Sequence, residues 1–198
     1  MKPDPLKTLN AVSPSLRLTP YDSAWPARFA AEAERIRLTL GTLAVAIEHV
    51  GSTAVPGLDG KPVLDIAIAV ATDADADVCI VPMQTLGYEY RGPYGYDPRR
   101  RYYVRDDDDD AGVRVVHVHL YVLPAPAWAA KLAFRDALRA DAVLAAAYAA
   151  EKYRVAESVG WDKGAYAVAK GPFVHRVLAA IKTLAVCFAA ACLVSACS

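Results

Sequence analysis

The segment IEHVGSTAVPGLDGKPVLDIAIAV, residues 47–70, decides the fold class of this chain. It ends in VLDIAIAV, where large aliphatic residues occupy every second position and small residues surround Asp65 on the alternate positions. A period of two predicts a strand with one face in the core. An ionised carboxylate is costly in a dry interior unless it is paired, hydrogen-bonded or bound to a metal. Asp65 therefore either serves a ligand or metal, or accepts hydrogen bonds from the backbone of the preceding GSTAVPG turn.

The sequence before this strand predicts a helix and a second strand. Residues 21–40 carry an apolar stripe at helical spacing, with Ser23 or Asp22 as a cap, Pro26 in the first turn and Gly41 at the end. The segment LAVAIEHV predicts a strand that runs into the Gly-Ser turn.

The sequence after this strand predicts an irregular helix, more strands and then helices. Residues 73–87 predict a helix that Pro82 makes irregular. RRYYVR and GVRVVHVHLYVL predict neighbouring antiparallel strands joined by an acidic loop, Asp106–Asp110. Three helices are predicted over 126–140, 141–158 and 162–182, the second capped by Asp141. This order predicts an α/β (α+β) domain, a mixed β-sheet flanked by helices with a helical C-terminal third.

The composition limits the kinds of partner that the chain can attract. Lys+Arg and Asp+Glu each number 22 in 198 residues, so the formal net charge is zero and we expect no nucleic-acid partner. Any anion site must come from a local cluster of cations. The four cysteines form neither a CxxC pair nor a zinc pattern with histidine, and residues 1–20 lack a secretory apolar segment. We therefore expect a cytoplasmic protein with reduced thiols.

The chain divides into three parts by composition. Residues 1–18 are expected to be a flexible lead-in, residues 19–182 the folded domain, and residues 183–198 an uncharged apolar tail. A helix that spans a membrane needs about 20 apolar residues, so the tail predicts a packed or frayed final helix, with a membrane anchor as the alternative.

Gly51-Ser52 followed by Asp65 on a strand resembles the opening of the nucleotidyltransferase signature, a Gly-Ser turn followed by a strand with two carboxylates. The resemblance implies that the turn holds nucleotide phosphates and that Asp65 holds Mg²⁺. Residue 67, the second carboxylate position, is Ala67, and Glu48 on the preceding strand is the substitute that the sequence offers.

Six blocks of sequence, in order, resemble the GrpB family and span residues 19–175. They are YDSAWPARFAAEAERI, IEHVGSTAVPGLDGKPVLDI, RYYVR, HVHLYV, LAFRDALRAD and AYAVAKGPFV. The resemblance implies a nucleotidyltransferase-like fold. Related domains are also fused behind dephospho-CoA kinases, where an accessory or folding role is attributed to them.

The histidines and cations in these blocks are the remaining candidate site residues. His117 and His119 share one face of a strand and either line the cleft, as ligands of a metal or of phosphate, or bond to the backbone. With the Gly-Ser turn, the predicted phosphate- and nucleotide-binding residues are Gly51, Ser52, Thr53, Lys61, Arg101, Arg105, Arg135 and Lys170. The alternative for each cation is a solvated surface residue or a helix ion pair.

These expectations define two functions. The first is Mg²⁺-dependent nucleotidyl transfer from a nucleoside triphosphate to a small-molecule acceptor, which relies on positioning and electrostatics. Its predicted catalytic residues are Asp65, His117 and His119, with Asp65 and Glu48 as metal ligands. The second is an inactive nucleotide-binding or accessory domain that kept the fold and lost the second carboxylate.

Overall fold

The computed structural model describes residues 16–93, 97–106 and 115–195, and the side chains of Val115 and of residues 185–195 lie outside that description. The helices in these ranges are α1 (Trp25–Leu40), α2 (Asp73–Val78), α3 (Ile80–Thr85), α4 (Pro126–Ala140), α5 (Ala142–Ser158), α6 (Lys163–Ala169) and α7 (Gly171–Ser195). The strands are β1 (Ala46–Val50), β2 (Val63–Val70), β3 (Glu89–Tyr90), β4 (Arg101–Asp106) and β5 (Val115–Val122).

The five strands form one mixed sheet in the order β1-β2-β5-β4-β3. Only β2 and β5 run parallel, and the other neighbours are antiparallel. The predicted mixed sheet flanked by helices, with a helical C-terminal third, is confirmed. The predicted antiparallel pairing of β4 with β5 is also confirmed; of the acidic run between them only Asp106 lies within the described residues.

The two faces of the sheet differ in chemistry. On one face the aliphatic residues of β2 and β5, such as Ile66 and Val118, join Trp25, Ile36 and Met83 of the first three helices in the main apolar core. The other face carries the small and polar residues of the same strands and is covered by the C-terminal helices. Because side chains alternate along a strand, the period of two places every odd-numbered residue of β2 on this second face.

Two predicted helices are interrupted. The helix predicted over residues 73–87 breaks at Cys79 into α2 and α3, and Pro82 lies in the first turn of α3, where its missing N–H is tolerated. The prediction of a single helix over 162–182 is wrong, because α6 is capped at Lys170 and a separate helix, α7, begins at Gly171. Pro172 explains the restart, because proline suits a first helical turn and not a helix interior.

Residues near both ends of the predicted domain are part of its structure. Leu16 is only 5% exposed and packs with Val155, Ala156 and Tyr166, and its N–H donates to the carbonyl of Trp161 at 2.8 Å. The folded part therefore includes residues 16–18, while 1–15 lie outside the described residues. At the other end, α7 extends through the predicted tail to Ser195. Within the described residues, no helix has the length and apolarity needed to cross a membrane.

Candidate functional site

A cavity of about 870 Å³ lies between the polar face of the sheet and the helices α4, α6 and α7. Asp65 of β2 and the imidazoles of β5 form its floor. The cationic residues that line it are Lys61, Arg91, Lys131, Arg135, Lys163 and Lys170. Among the described residues, the carboxylates that line it are Asp65 and Asp106. The cavity therefore concentrates positive charge in a chain whose formal net charge is zero.

The Gly-Ser turn closes directly over Asp65. Gly51 has φ 76° and ψ −173°, a combination that is essentially restricted to glycine. A Cβ at Gly51 would overlap Asp65 Oδ2 and lie 3.1 Å from Cγ. This glycine thus supplies both the backbone conformation and the space that lets the turn approach the carboxylate.

Ser52 lines the cavity and is held from behind by a buried lysine. Lys152 of α5 is 1% exposed, and its ammonium donates to Ser52 Oγ at 3.3 Å and to the carbonyl of Asp59. Burial, together with the charge of Lys170, lowers the pKa of Lys152 to about 7. Ser52 is therefore placed for ligand contact by Lys152, which itself is not among the lining residues.

Thr53 does not point into the cavity, which corrects the prediction that it contacts phosphate. It is 1% exposed, and its hydroxyl donates to the carbonyl of Val63 at 3.2 Å. The same hydroxyl lies 3.0 Å from Nε2 of His49, which stacks on Phe29 with 4.7 Å between ring centroids. Burial lowers the pKa of His49 to about 4, so the ring is neutral at pH 7. Because the Thr53 proton goes to Val63, His49 donates from Nε2, and the pair fixes the turn.

Asp65, His117 and His119 converge as predicted. Oδ1 of Asp65 lies 3.4 Å from His117 Nδ1 and 3.7 Å from His119 Nε2. Burial acts to raise the pKa of Asp65, but the two imidazoles outweigh it and hold that pKa far below its usual range. Burial and the nearby Lys131 lower the pKa of His119 to about 4. Tyr102 of β4 stacks on His119 with 5.1 Å between ring centroids. The floor of the cavity is thus a carboxylate held by two imidazoles.

Four lysines approach this floor without partners. In the described part of the chain, the side chains of Lys61, Lys131, Lys163 and Lys170 form no ion pair or hydrogen bond. Lys61 and Lys170 both lie near the ring of Tyr166, with Nζ 4.9 Å and 5.6 Å from its centroid. Burial, followed by repulsion from Lys170 and Lys163, lowers the pKa of Lys61 to about 8. Burial also lowers the pKa values of Lys131 and Lys170. Ammonium groups that line one cavity without carboxylate partners favour the binding of an anion.

The strand arginines lie elsewhere, which corrects their predicted place in the cleft. Arg101 is opposite Leu120 and Arg105 opposite Val116, so both lie on the face that carries the apolar core. Arg105 donates to both oxygens of the buried Glu32, at 2.7 Å and 2.9 Å. Arg101 pairs with Asp77 of α2 at 2.6 Å. These arginines attach α1 and α2 to the sheet.

Glu48 and Arg135 are bound to each other. Arg135 Nη1 donates to Glu48 Oε2 at 2.6 Å and to the carbonyl of His49 at 2.9 Å. Its Nε donates to Asp136 Oδ1 at 2.7 Å. Arg135 lines the cavity, but these contacts use its guanidinium to clamp α4 onto β1. Glu48 lines a different cavity, of about 800 Å³, on the far side of that clamp.

The predicted magnesium site does not fit the donors that are present. Ala67 is fully buried beside Val50 and Tyr121, so the position of the second carboxylate is apolar. Glu48, the predicted substitute ligand, is paired with Arg135. Asp65 alone supplies a carboxylate at the floor, and within the described ranges no three His, Cys, Asp or Glu residues are placed to hold a metal ion. Mg²⁺ requires near-octahedral oxygen ligands, which this set does not offer.

Sequence reasoning missed Lys131 and Lys163. Each is a lone lysine on a helix with no motif around it, so no sequence signal separates it from a solvated surface residue. Only the packing of α4 and α6 over the sheet brings them to the cavity. Lys61 and Lys170, in contrast, belong to the six sequence blocks that resemble the GrpB family, and they also lie in the cavity.

The chain folds into a mixed sheet whose polar face lies beneath the C-terminal helices. A glycine-serine turn closes over one aspartate on that face. Together these features define the fold class and the location of the candidate site. This chain belongs to the GrpB family: the family model described as GrpB protein matches residues 15–180. The family prediction is therefore confirmed.

Relatives of known sequence or structure agree with this assignment. A UPF0157 protein of Pseudomonas aeruginosa is 38% identical over 171 residues, covering 85% of this chain and 69% of that protein. A dephospho-CoA kinase of Mycolicibacterium paratuberculosis is 31% identical, covering 85% of this chain and 46% of the kinase. The crystal structure of the conserved protein GrpB from Enterococcus faecalis superimposes with a TM-score of 0.71 at 28% identity, covering 83% of this chain and 99% of that one.

Proposed function

We propose that this protein binds a nucleoside triphosphate in the lysine-lined cavity and transfers its nucleotidyl group to a small-molecule acceptor. The observation that carries the proposal is the convergence of four unpaired lysines on a turn and a carboxylate at the floor of one cavity. A polyphosphate chain is the ligand class whose charge matches such a cluster. The volume of about 870 Å³ lies within the range of small-molecule sites, about 300–1,000 Å³.

The arrangement supports transfer as well as binding. In an in-line displacement at phosphorus, the protein contributes chiefly positioning and neutralisation of charge. Lys61 and Lys170 both contact the ring of Tyr166, and the Gly51-Ser52 turn offers a backbone amide and a hydroxyl to the same cavity. The imidazoles of His117 and His119 lie beside Asp65 on the floor of the cavity, where they can contact a bound ligand.

A second candidate is a nucleotide-binding domain without turnover. It is favoured by the apolar surroundings of Ala67, which leave Asp65 without a second carboxylate. The match to part of a dephospho-CoA kinase, where this domain covers 46% of the longer protein, also suits an accessory role beside another catalytic domain.

Calorimetric titration with ATP, GTP, CTP and UTP tests the binding proposal. Lys61→Met and Lys170→Met should each weaken triphosphate affinity about tenfold or more, since each removes a charged contact worth roughly 1.5–3 kcal/mol. Lys182→Met is the matched control, because Lys182 is exposed on α7 outside the cavity and should leave affinity unchanged. Triphosphate affinity equal to that of the wild type in all three variants would disprove the site.

Release of pyrophosphate separates the two candidates. The transferase should release pyrophosphate from the bound triphosphate when a pool of small hydroxyl- and amine-bearing metabolites is added. If the wild type binds a triphosphate but releases no pyrophosphate with any pool, the function is that of a nucleotide-binding domain without turnover.

A further inference from the structure

We propose that the cavity binds its polyphosphate ligand as the metal-free anion, with Lys61, Lys131 and Lys170 supplying the neutralisation that a divalent ion supplies in two-metal sites. The inference rests on the proposed function, because it specifies the form in which the triphosphate is bound. It follows from the disagreement between the magnesium site that the Gly-Ser signature implies and the donors that the fold assembles.

The charges at the floor of the cavity favour an anion over a cation. Within the described residues, Asp65 is the only carboxylate at the floor, and Asp106 lies exposed at the rim. Lys61, Lys131 and Lys170 all lie close enough to Asp65 for its charge to act on their pKa values. A divalent cation placed beside Asp65 would be repelled by these three ammonium groups, whereas phosphate oxygens would be attracted by them.

Protein groups lie against both oxygens of Asp65, and 27% of its side chain is exposed to the cavity. His117 and His119 face Oδ1, at 3.4 Å and 3.7 Å. The Gly51 backbone closes over Oδ2, since a Cβ there would overlap that oxygen. A metal ion at Asp65 would meet the two imidazoles at Oδ1 and, within the described residues, no second carboxylate at the floor. Asp65 instead acts as the internal counter-ion of the lysine cluster and as the anchor of the two imidazoles.

The lysines are also placed where a metal would otherwise be needed. Lys61 and Lys170 both contact the Tyr166 ring, while Lys131 reaches the same cavity from α4. Three cations on different elements can contact successive phosphate groups. A lysine ammonium binds phosphate as a point charge with three donors, so no metal is required to bridge the oxygens.

The decisive experiment titrates the full-length chain with ATP in excess EDTA and again in saturating MgCl₂. We expect ATP affinity to be about tenfold tighter in EDTA, because Mg²⁺ removes two charges from the ligand and so weakens its attraction to the lysines. A tenfold change in affinity corresponds to the loss of about one charged contact. Tighter binding in MgCl₂ would overturn the inference and leave the proposed function standing. Absence of ATP, GTP, CTP and UTP binding in both buffers would overturn both.

Inorganic tripolyphosphate is the second probe, and it separates the ligand class from the mode of binding. If tripolyphosphate in EDTA binds as tightly as every nucleoside triphosphate, the lysine cluster is confirmed as a metal-free polyphosphate site and the nucleotide proposal fails. If only a nucleoside triphosphate binds, and binds best in EDTA, both proposals hold.

Asp65→Asn distinguishes the two modes by the sign of its effect. Removal of one negative charge from a lysine-held site should raise ATP affinity in EDTA several-fold, whereas loss of a metal ligand would lower affinity in MgCl₂. Glu157→Gln is the control, because it changes the net charge equally at an exposed position outside the cavity. A fall in EDTA affinity for a folded Asp65→Asn protein would contradict the inference. The comparison of buffers on the wild type decides the question if this variant does not fold.

Discussion

At the scale of single residues, Gly51 and Asp65 depend on each other. The glycine has a φ of 76°, and its missing Cβ is the space that the Asp65 carboxylate fills. A buried hydrogen bond of 3.0 Å between Thr53 Oγ1 and His49 Nε2 also stabilises this turn. The Gly-Ser pair is thus a structural requirement of this aspartate as well as a wall of the cavity.

Gly51→Ala should destabilise the protein strongly. The added methyl suffers both the strained backbone conformation and the overlap with Asp65, so we expect a loss of about 3 kcal/mol in the free energy of unfolding. Gly57→Ala is a matched control, because Gly57 also has a φ of 76° but nothing within 4 Å of an added Cβ. Its loss should be about 1–2 kcal/mol, the cost of the left-handed conformation alone. Urea denaturation measures both.

A double variant checks the cause of that loss. In an Asp65→Ala background the overlapping carboxylate is gone, and the cost of Gly51→Ala should fall towards that of Gly57→Ala. An undiminished cost would show that the backbone conformation, and not the carboxylate, requires the glycine.

At the scale of elements, the apolar face of the sheet is joined to α1 by a buried ion pair. Glu32 is 5% exposed and accepts both guanidinium contacts of Arg105 on β4, and Tyr88 donates to it at 2.6 Å. Burial acts to raise the pKa of Glu32, but Arg105 and Tyr88 outweigh it and hold that pKa below its ordinary value. Removing one partner of such a pair leaves an uncompensated buried charge.

Glu32→Gln should therefore lower the free energy of unfolding at pH 7 by about 3 kcal/mol. Glu34→Gln is the matched control, since Glu34 forms an exposed pair with Arg37 at 2.7 Å and should cost under about 0.5 kcal/mol. ATP affinity should not change in either variant, because Glu32 lies on the opposite face from the cavity. Reduced ATP affinity in a folded Glu32→Gln protein would contradict the separation of the two faces.

The same pair sets a pH dependence whose sign follows from the lowered pKa. A carboxylate with a depressed folded pKa contributes stability above its unfolded value, 4.5 for glutamate, and loses that contribution as the pH falls through the folded pKa. The stability difference between wild type and Glu32→Gln should thus be constant above pH 4.5 and shrink below it. Urea denaturation at a series of pH values measures this difference, and a difference that grows in acid would refute the assignment.

At the scale of the whole molecule, the C-terminal helices form the roof of the cavity. Val174 and Leu178 of α7 line it, while Lys182, Thr183 and Leu184 further along are exposed. The family match ends at residue 180, in the same region. The site therefore includes residues from the first turns of α7.

Removal of residues 183–198 should leave the folded domain and its site intact. We expect a melting temperature within a few degrees of the wild type, since about 1 kcal/mol shifts it by roughly 2–4 °C at this size, and unchanged ATP affinity. Removal of residues 171–198 is the comparison, because it also deletes Val174 and Leu178 and should abolish binding. Loss of binding on the shorter deletion would show that the end of α7 contributes to the site.

Much of the fold could be predicted from local sequence because its signals are local. The period of two over Val63–Val70, the glycine-serine turn and the caps of the helices each act within a few residues. The Asp141 cap of α5 is confirmed, with its carboxylate accepting from Val143 and Leu144. The split at Gly171 was missed because the apolar pattern continues across Pro172, and only the proline marked the break.

The candidate site was predictable only in part. Asp65, His117 and His119 meet because β2 and β5 are parallel neighbours with Asp65 opposite His117. The prediction that Arg101 joins them failed because Arg101 lies opposite Leu120, one residue out of phase with His119. The register between strands is set by the assembled core, and a shift of one residue moves a side chain to the other face.

The sequence by itself determined the family, the mixed sheet and the position of Asp65 behind a Gly-Ser turn, because these depend on short patterns of residues close in the chain. Only the tertiary structure decided which cations face Asp65. It brought Lys131 from α4 and Lys170 from the end of α6 to the cavity, and it placed Arg105 on the opposite face. The physical reason is that the charge of a cavity is a sum over elements distant in sequence, and their packing on the sheet sets which side chains contribute to it.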